Sequence, residues 1–261
     1  MKTETSEEIL NKISPREDVA ILLAHYNGEK FIRDQISSLK AQTYKPISIY
    51  ISDDCSTGES FRQLKWLVEN QEPDVTLTRN KSNLGYAENF LFMSTKVKKA
   101  SYYAFCDQDD IWSFDKIERA VRVLRETPAE IPALYCSRTE ITDESGRIVR
   151  GLSPLFRYKP SFGNALIQNI GGGNTMVFNN AACKLICSTS ENNPVVAHDW
   201  WAYIIVSGVG GQIFYDPKPT LKYRQHENNA IGSNGNWRAR IIRLRKLFSG
   251  EYKQWNDKNI N

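Results

Sequence analysis

Three carboxylates stand together in Asp107-Gln108-Asp109-Asp110, directly after the apolar run Tyr102-Tyr103-Ala104-Phe105-Cys106. The run reads as a buried strand, and carboxylates at its end need either a ligand or a capping role. In an extended segment residues i and i+2 project to the same side, so Asp107 and Asp109 can converge on one ligand. Hard oxygen donors of this kind suit Mg²⁺ or Mn²⁺ bridging a diphosphate, which points to nucleotide chemistry. The alternative is an acidic turn that caps the next helix, with Asp109, Asp110 or Ser113 as N-cap ahead of Ile117, Ala120, Val121 and Leu124.

The flanking pattern supplies elements that would position such a cluster. Val19 to Ala24 is a continuous apolar strand ending in His25-Tyr26-Asn27-Gly28, and Phe31, Ile32, Ile36 and Leu39 follow at helical spacing. Ile47 to Ile51 alternates β-branched residues and ends in Ser52-Asp53-Asp54-Cys55-Ser56. Helix from Phe61 to Val68, strand from Val75 to Thr78 and helix from Tyr86 to about Val97 then lead into the strand before Asp107. Strand and helix alternation predicts a mostly parallel sheet with crossover helices, and such sheets bind ligands outside the carboxyl ends of their strands. All three polar clusters fall at that edge.

The chain resembles the inverting glycosyltransferases of family 2, which have the GT-A fold, and among them the rhamnosyltransferase-like branch. The resemblance is carried by six segments in order: Ala24-His25-Tyr26-Asn27-Gly28, Ser52-Asp53-Asp54-Cys55-Ser56, Asn83-Leu84-Gly85-Tyr86-Ala87-Glu88-Asn89-Phe90, Asp107-Gln108-Asp109-Asp110-Ile111-Trp112, His198-Asp199-Trp200-Trp201 and Tyr223-Arg224-Gln225-His226. It implies a Rossmann-like α/β/α sandwich over residues 19–232, with a nucleotide-sugar half (19–112) and an acceptor half (113–232). A polar tail (1–18) and a basic amphipathic C-terminal segment (233–261) flank it.

The resemblance also implies roles. Ala24, Tyr26 and Asn27 would hold the nucleoside, and Asp53 or Asp54 would accept a hydrogen bond from the pyrimidine N3-H. An ionised carboxylate only accepts, which favours uracil or thymine over cytosine and so a UDP- or dTDP-linked donor. Asn83 and Gly85 would lie over the nucleotide, with Arg79 or Lys81 able to meet phosphate. Asp107 and Gln108 would sit near the ribose, Asp109 would hold Mg²⁺ or Mn²⁺, and His226 would complete its coordination. Asp110 would cap or orient the following turn. Asp199 would be the catalytic base, its rival reading being a first-turn or N-cap residue favoured by the helix dipole. Gly173, Asn174, Thr175, His198, Trp200 and Trp201 are acceptor-side candidates, the two tryptophans as stacking faces for a sugar or as core. His198 stands where many members carry Glu, and its role is open.

The expected activity is inverting transfer of a sugar, L-rhamnose from dTDP-rhamnose, to a glycan or lipid-linked glycan in bacterial surface polysaccharide synthesis. UDP-dependent galactosyl, glucosyl or N-acetylglucosaminyl transfer is the alternative. A nucleotidyltransferase is more remote, because His25-Tyr26-Asn27-Gly28-Glu29-Lys30 poorly matches a glycine-rich basic loop. A non-catalytic glycan-binding protein is disfavoured by the intact Asp109 and Asp199.

Composition fits one domain: 261 residues, 41% hydrophobic and 25% charged, with net charge +4. Cys55, Cys106, Cys136, Cys183 and Cys187 lack zinc-type C-x-x-C spacing and suit a reducing compartment. Neither a secretory leader nor a bilayer-length apolar run is evident, so a cytoplasmic enzyme is expected. Trp237 to Phe248 carries five cations and no acid, with Trp237, Ile241, Leu244 and Phe248 on one helical face. It is expected either to touch the inner face of an anionic membrane or to dock on the domain. No nucleic-acid module is evident.

Overall fold

The computed structural model describes residues 17–72, 74–190 and 195–226. The segment 233–261, with its expected amphipathic helix, lies outside the described residues, as does most of the 1–18 tail.

The described elements in chain order are β1 (Val19–His25), α1 (Ile32–Lys40), β2 (Ile47–Asp53), α2 (Gly58–Gln71), β3 (Val75–Arg79), α3 (Tyr86–Lys96), β4 (Tyr102–Cys106) and β5 (Ile111–Trp112). They continue with α4 (Lys116–Leu124), β6 (Ala133–Ser137), β7 (Glu140–Thr142), β8 (Val149–Leu152) and α5 (Phe162–Ala165). A 3₁₀ turn (Gly173–Thr175), β9 (Val177–Asn179), α6 (Asn180–Ser190), α7 (His198–Gly208), β10 (Gln212–Asp216) and β11 (Leu221–Arg224) complete them.

Seven strands form one sheet in the order β10-β6-β9-β4-β1-β2-β3, in which only β9 runs antiparallel to its neighbours. Alternation along β1 builds two cores. Val19, Ile21 and Leu23 pack with Ile36 of α1, Leu64 of α2 and Ile117 of α4, whereas Ala20 and Leu22 face Phe90 of α3, Ala182 of α6 and Tyr203 of α7. Helices therefore cover both faces, and the strands read as near-continuous apolar runs for that reason. The expected α/β/α architecture is present, and one sheet spans both sides of residue 112.

A second sheet, β5-β11-β7-β8, was not legible as such in the sequence. Its β5 is only Ile111-Trp112, paired antiparallel to β11, so the chain beyond the acidic motif is tied to the segment that ends at His226. None of Asp109, Asp110 and Ser113 caps α4, whose N-cap position is Asp115.

Candidate active site

At the carboxyl end of β1, the ring of His25 is fully buried. Gly28 N-H donates to its Nε2 at 3.3 Å, so Nδ1 is the nitrogen that donates to Asp53 Oδ1 at 2.9 Å. Asn27 takes a positive φ of 47°, donates its N-H to Ser56 Oγ and receives Thr57 N-H at its Oδ1. Tyr26 N-H donates to Gln108 Oε1 at 2.8 Å, and Gln108 Nε2 returns a bond to the Tyr26 carbonyl at 3.1 Å. A Cβ on Gly28 would stand 2.0 Å from Gln108 Oε1, so glycine is what lets this loop meet the acidic motif. Ala24, in register with Ser52, supplies backbone at the same edge.

Asp53 and Asp54 end β2 and face different partners. Asp53 Oδ2 accepts Ser56 N-H and lies 3.3 Å from Arg79 Nε. Burial pushes this carboxyl up, but hydrogen bonds from His25 and Ser56 outweigh it and hold it below the ordinary value. Arg79, expected near phosphate, is also bound to the Ser56 carbonyl and stacked on Phe61. Asp54 Oδ1 accepts Leu84 N-H and Asn80 Nδ2, and its Oδ2 accepts Gly85 N-H, all at 2.9 Å. Asn83 Nδ2 donates to the Asp54 carbonyl. Gly85, at φ +83°, can then turn the chain into α3. Both carboxylates thus engage protein donors, and Asp54 fastens the loop over the edge.

The acidic motif is arranged differently. Asp109 Oδ2 lies 2.8 Å from His226 Nε2, so residues 117 positions apart meet as expected. The His226 ring stacks on Phe31 at 4.7 Å between centroids. Part-buried Asp107 has its carboxyl pushed up to about 7 by burial and by the nearby carboxylates of Asp109 and Asp199. Fully buried Asp110 is also held well above the ordinary range, by burial and by Asp109 and Asp107. Its Oδ2 accepts Asn174 Nδ2 at 2.6 Å, while its Oδ1 is unpartnered. Among the described residues no three His, Cys, Asp or Glu side chains form a closed metal cage. The donor chemistry nevertheless fits a cation that takes one or two carboxylates and leaves other positions to water and phosphate. Asp109 and His226 are the two side chains that could hold it, with Asp107 beside them.

Asp199, in the first turn of α7, accepts Gly173 N-H at Oδ2 (3.0 Å) and Trp200 N-H at Oδ1 (2.7 Å). Ala197, not Asp199, occupies the N-cap position. Asn174 on the same 3₁₀ turn binds Asp110, so this turn joins the base candidate to the acidic motif. A Cβ on Gly173 would lie 2.3 Å from His198 Nε2 and 3.3 Å from Asp199 Cβ. Thr175, fully buried, closes the turn with Oγ1 on the Gly172 carbonyl.

His198 is buried against Phe90, Phe105 and Tyr86, neither ring nitrogen has a partner, and burial lowers its pKa to about 4. Trp200 and Trp201 are 5% and 3% exposed and belong to the core, so neither offers a ring face to a sugar. Their placement follows from α7 packing its whole first turn against the sheet.

Two features escaped sequence reasoning. Lys116, fully buried, donates to the Asn174 carbonyl and lies over the Trp112 ring, with burial lowering its pKa to about 7. Its signal was phase: Lys116, Ala120 and Leu124 share one i, i+4 row on the buried face of α4. Arg224 binds Asp34 Oδ2 at 2.6 Å across 190 residues, and Phe31 lies under both Arg224 and His226. A cavity of about 580 Å³ lies far from these groups at the amino ends of the strands, lined by Asp18, Ser101, Tyr102 and Arg125 among others. The polar groups instead gather at the carboxyl edge of the sheet, where an α/β sheet takes its ligands.

The chain is 30% identical over 240 residues to the dTDP-rhamnosyl transferase RfbG of Shigella flexneri, covering 89% of this chain and 81% of that one. Among solved structures, TarS of S. aureus in complex with UDP-GlcNAc superposes with a TM-score of 0.61 at 16% identity, over 81% of this chain and 60% of that one. The mannosyltransferase PcManGT of Pyrobaculum calidifontis, in complex with GDP-Man and Mn²⁺, gives 0.60 at 18% identity over 92% and 65%. The chain thus spans under two thirds of the length of these structural neighbours. Their likeness gives the fold, GT-A. The model of glycosyl transferase family 2 matches residues 20–186, and with that match the chain belongs to this family of glycosyltransferases.

Proposed function

We propose that the chain transfers L-rhamnose from dTDP-L-rhamnose to a hydroxyl of a glycan or lipid-linked glycan, with inversion at the anomeric carbon. The observation that carries this reading is the meeting of Asp199, Asp107 and the Asp109–His226 pair at one sheet edge. The donor is taken from the likeness to the Shigella flexneri rhamnosyl transferase.

In this reading Asp199 accepts the proton of the acceptor hydroxyl as its oxygen attacks the anomeric carbon and the bond to the diphosphate breaks. Gly173 and Trp200 N-H groups fix the carboxylate's orientation through its two oxygens. Asp107 and Gln108 contact the donor's ribose side, and Tyr26 and Asn27 present backbone to the nucleoside. The Asp54-fastened loop through Asn83 and Gly85 covers it. Asp109 and His226 would hold Mg²⁺ or Mn²⁺, which when bound supplies positive charge to the departing diphosphate.

Purified full chain, offered a panel of dTDP- and UDP-sugars with Mn²⁺, should release dTDP from dTDP-rhamnose, slowly by hydrolysis and faster with acceptor, and chelator should suppress release. Release from UDP-hexoses instead would assign a hexosyltransferase. No release from any sugar nucleotide would overturn the glycosyl-transfer reading.

A further inference from the structure

Between Ser145 and Ser190 the chain has no Asp or Glu, yet it carries Arg147, Arg150, Arg157 and Lys159 within 13 residues. All four are exposed, and none joins an ion pair among the described residues. Interleaved with them are exposed apolar side chains: Ile148 at 63%, Tyr158 at 79%, and Val149, Leu152 and Leu155 about half exposed. Single exposed apolar residues are ordinary, whereas a contiguous run rimmed by charges of one sign marks an interaction surface.

The run starts on β8, the free edge of the small sheet, which is open to solvent on both faces. Arg150 and Leu152 project to the same side of that strand, so a cation and an apolar group present themselves together. The following stretch is pinned rather than loose: Phe156 N-H donates to Tyr215 Oη, the two rings pack edge to face, and Arg138 holds the Ser153 carbonyl. The surface is therefore built on the fold.

Charge decides the occupant. A second copy across a two-fold axis would set four cations against four, and of the nearby acids Asp143 already accepts the Arg147 and Ile148 N-H groups and Glu144 already pairs with Lys30, which leaves Glu140, opposite Leu152, against four cations. A sugar would leave the aliphatic side chains without a partner. Phosphate headgroups over hydrocarbon match both components, since long cations reach the phosphates while aliphatic and tyrosine side chains enter the boundary beneath. We infer that residues 147–159 are a docking surface for an anionic lipid bilayer. It is distinct from the basic stretch 237–248. Strand β8 pairs with β7, and β7 with β11, the strand that leads to His226. The surface thus lies two strand spacings, about 10 Å, from β11 and would bring the site this strand leads to toward a lipid-linked hydroxyl. That purpose, but not the binding itself, rests on the proposed transfer reaction.

The test uses full chain with vesicles of phosphatidylglycerol and phosphatidylcholine. Each cation near an anionic surface is worth about fivefold in partitioning, so R147Q/R150Q/R157Q/K159Q should bind on the order of 10³-fold less at low salt and differ little at high salt. L152S/Y158S should lose the part of the binding that survives high salt. Melting temperatures should stay near wild type, because these side chains are exposed. Unchanged vesicle binding by both folded variants, or a wild type that ignores vesicles, would overturn the inference. So would either variant turning a dimer into a monomer in sedimentation velocity while still binding vesicles. Sugar-nucleotide hydrolysis on the same samples separates the two readings: vesicle binding without hydrolysis sinks the transferase reading and leaves the surface standing.

Discussion

Asp54 and Asp110 are both buried carboxylates just beyond the ends of strands in one sheet, yet their surroundings are opposite. Asp54 accepts three hydrogen bonds, and its neighbour Asp53 is enclosed by His25, Ser56 and Arg79. Asp110 accepts one and leaves an oxygen bare, beside Asp107, Asp109 and Asp199, which repel one another. Both nitrogens of His198, next to Asp199, are also buried and unpartnered. A satisfied edge holds a loop in place. An unsatisfied one instead pushes its carboxyls above their ordinary range, and perturbed groups of that kind gather at functional sites.

If that contrast is right, substitutions on the acidic side change turnover and those on the Asp53–Asp54 side change stability. The largest effect is expected for Asp199→Asn, which keeps the shape and, through its single amide oxygen, one of the two N-H contacts, but cannot take up the acceptor's proton. Transfer should fall on the order of 10² to 10⁴-fold with donor affinity nearly unchanged. Steady-state kinetics with an acceptor, beside donor binding by calorimetry, reads this directly. Normal turnover with a lower melting temperature would return Asp199 to a structural role and erase the contrast.

On the other side, Asp54→Ala leaves the Leu84 N-H without its acceptor and the Gly85 N-H and Asn80 amide with only their second partners, Asn83 Oδ1 and Asn89 Oδ1. Removing one member of a buried charged network costs about 4 kcal/mol, measurable by urea unfolding. The loss should be global rather than catalytic, so residual folded enzyme should keep its kcat. A variant as stable as wild type but unable to bind donor would make Asp54 a ligand-facing group instead.

How far the sequence displayed these two edges depends on range. Strand and helix alternation, the carboxyl-end location of the motifs and the meeting of Asp109 with His226 were legible, the last through resemblance rather than spacing. The satisfaction of Asp54 was not, because its donors are backbone N-H groups whose direction is set by the left-handed Gly85. Lys116 under Asn174, 58 residues away, and Arg224 on Asp34 were hidden for a related reason: partner choice comes from how layers pack. For Trp200 and Trp201, read as a sugar platform or as core, the packing selects core. Aromatic type suggested a sugar platform, but a helix apolar all round is buried, and α7 is close to that.

His198 tests the acidic side by pH. Its pKa of about 4 lies below the value of about 6.5 in an unfolded chain, so the unfolded state takes the proton first. The stability linked to this group is complete above pH 6.5 and declines as pH falls toward 4, by about 3 kcal/mol in all. His198→Leu removes the titration, and because neither nitrogen has a partner it strands no other polar group. Its stability should therefore fall less steeply between pH 6.5 and 4 than that of wild type. Parallel slopes would mean that the ring is solvated or partnered in solution.

The smallest effect probes whether the satisfied edge is insulated from chemistry. Thr57 caps α2, accepting Ser60 N-H at 3.5 Å, and its own N-H donates to Asn27 Oδ1 in the nucleoside loop. The capping bond is long, so Thr57→Ala should cost about 1 kcal/mol or less, a fall in melting temperature of about 2–4 °C for a chain of this size. Thr57→Ser keeps the oxygen and should recover most of it. The backbone bond to Asn27 survives in both variants, so donor affinity should not move although the substitution sits one residue from Ser56 and its contacts with Asn27 and His25. A donor affinity that tracked the lost cap would show that the satisfied edge is tuned for binding and not only for holding, and the division between the two edges would fail where it is most easily measured.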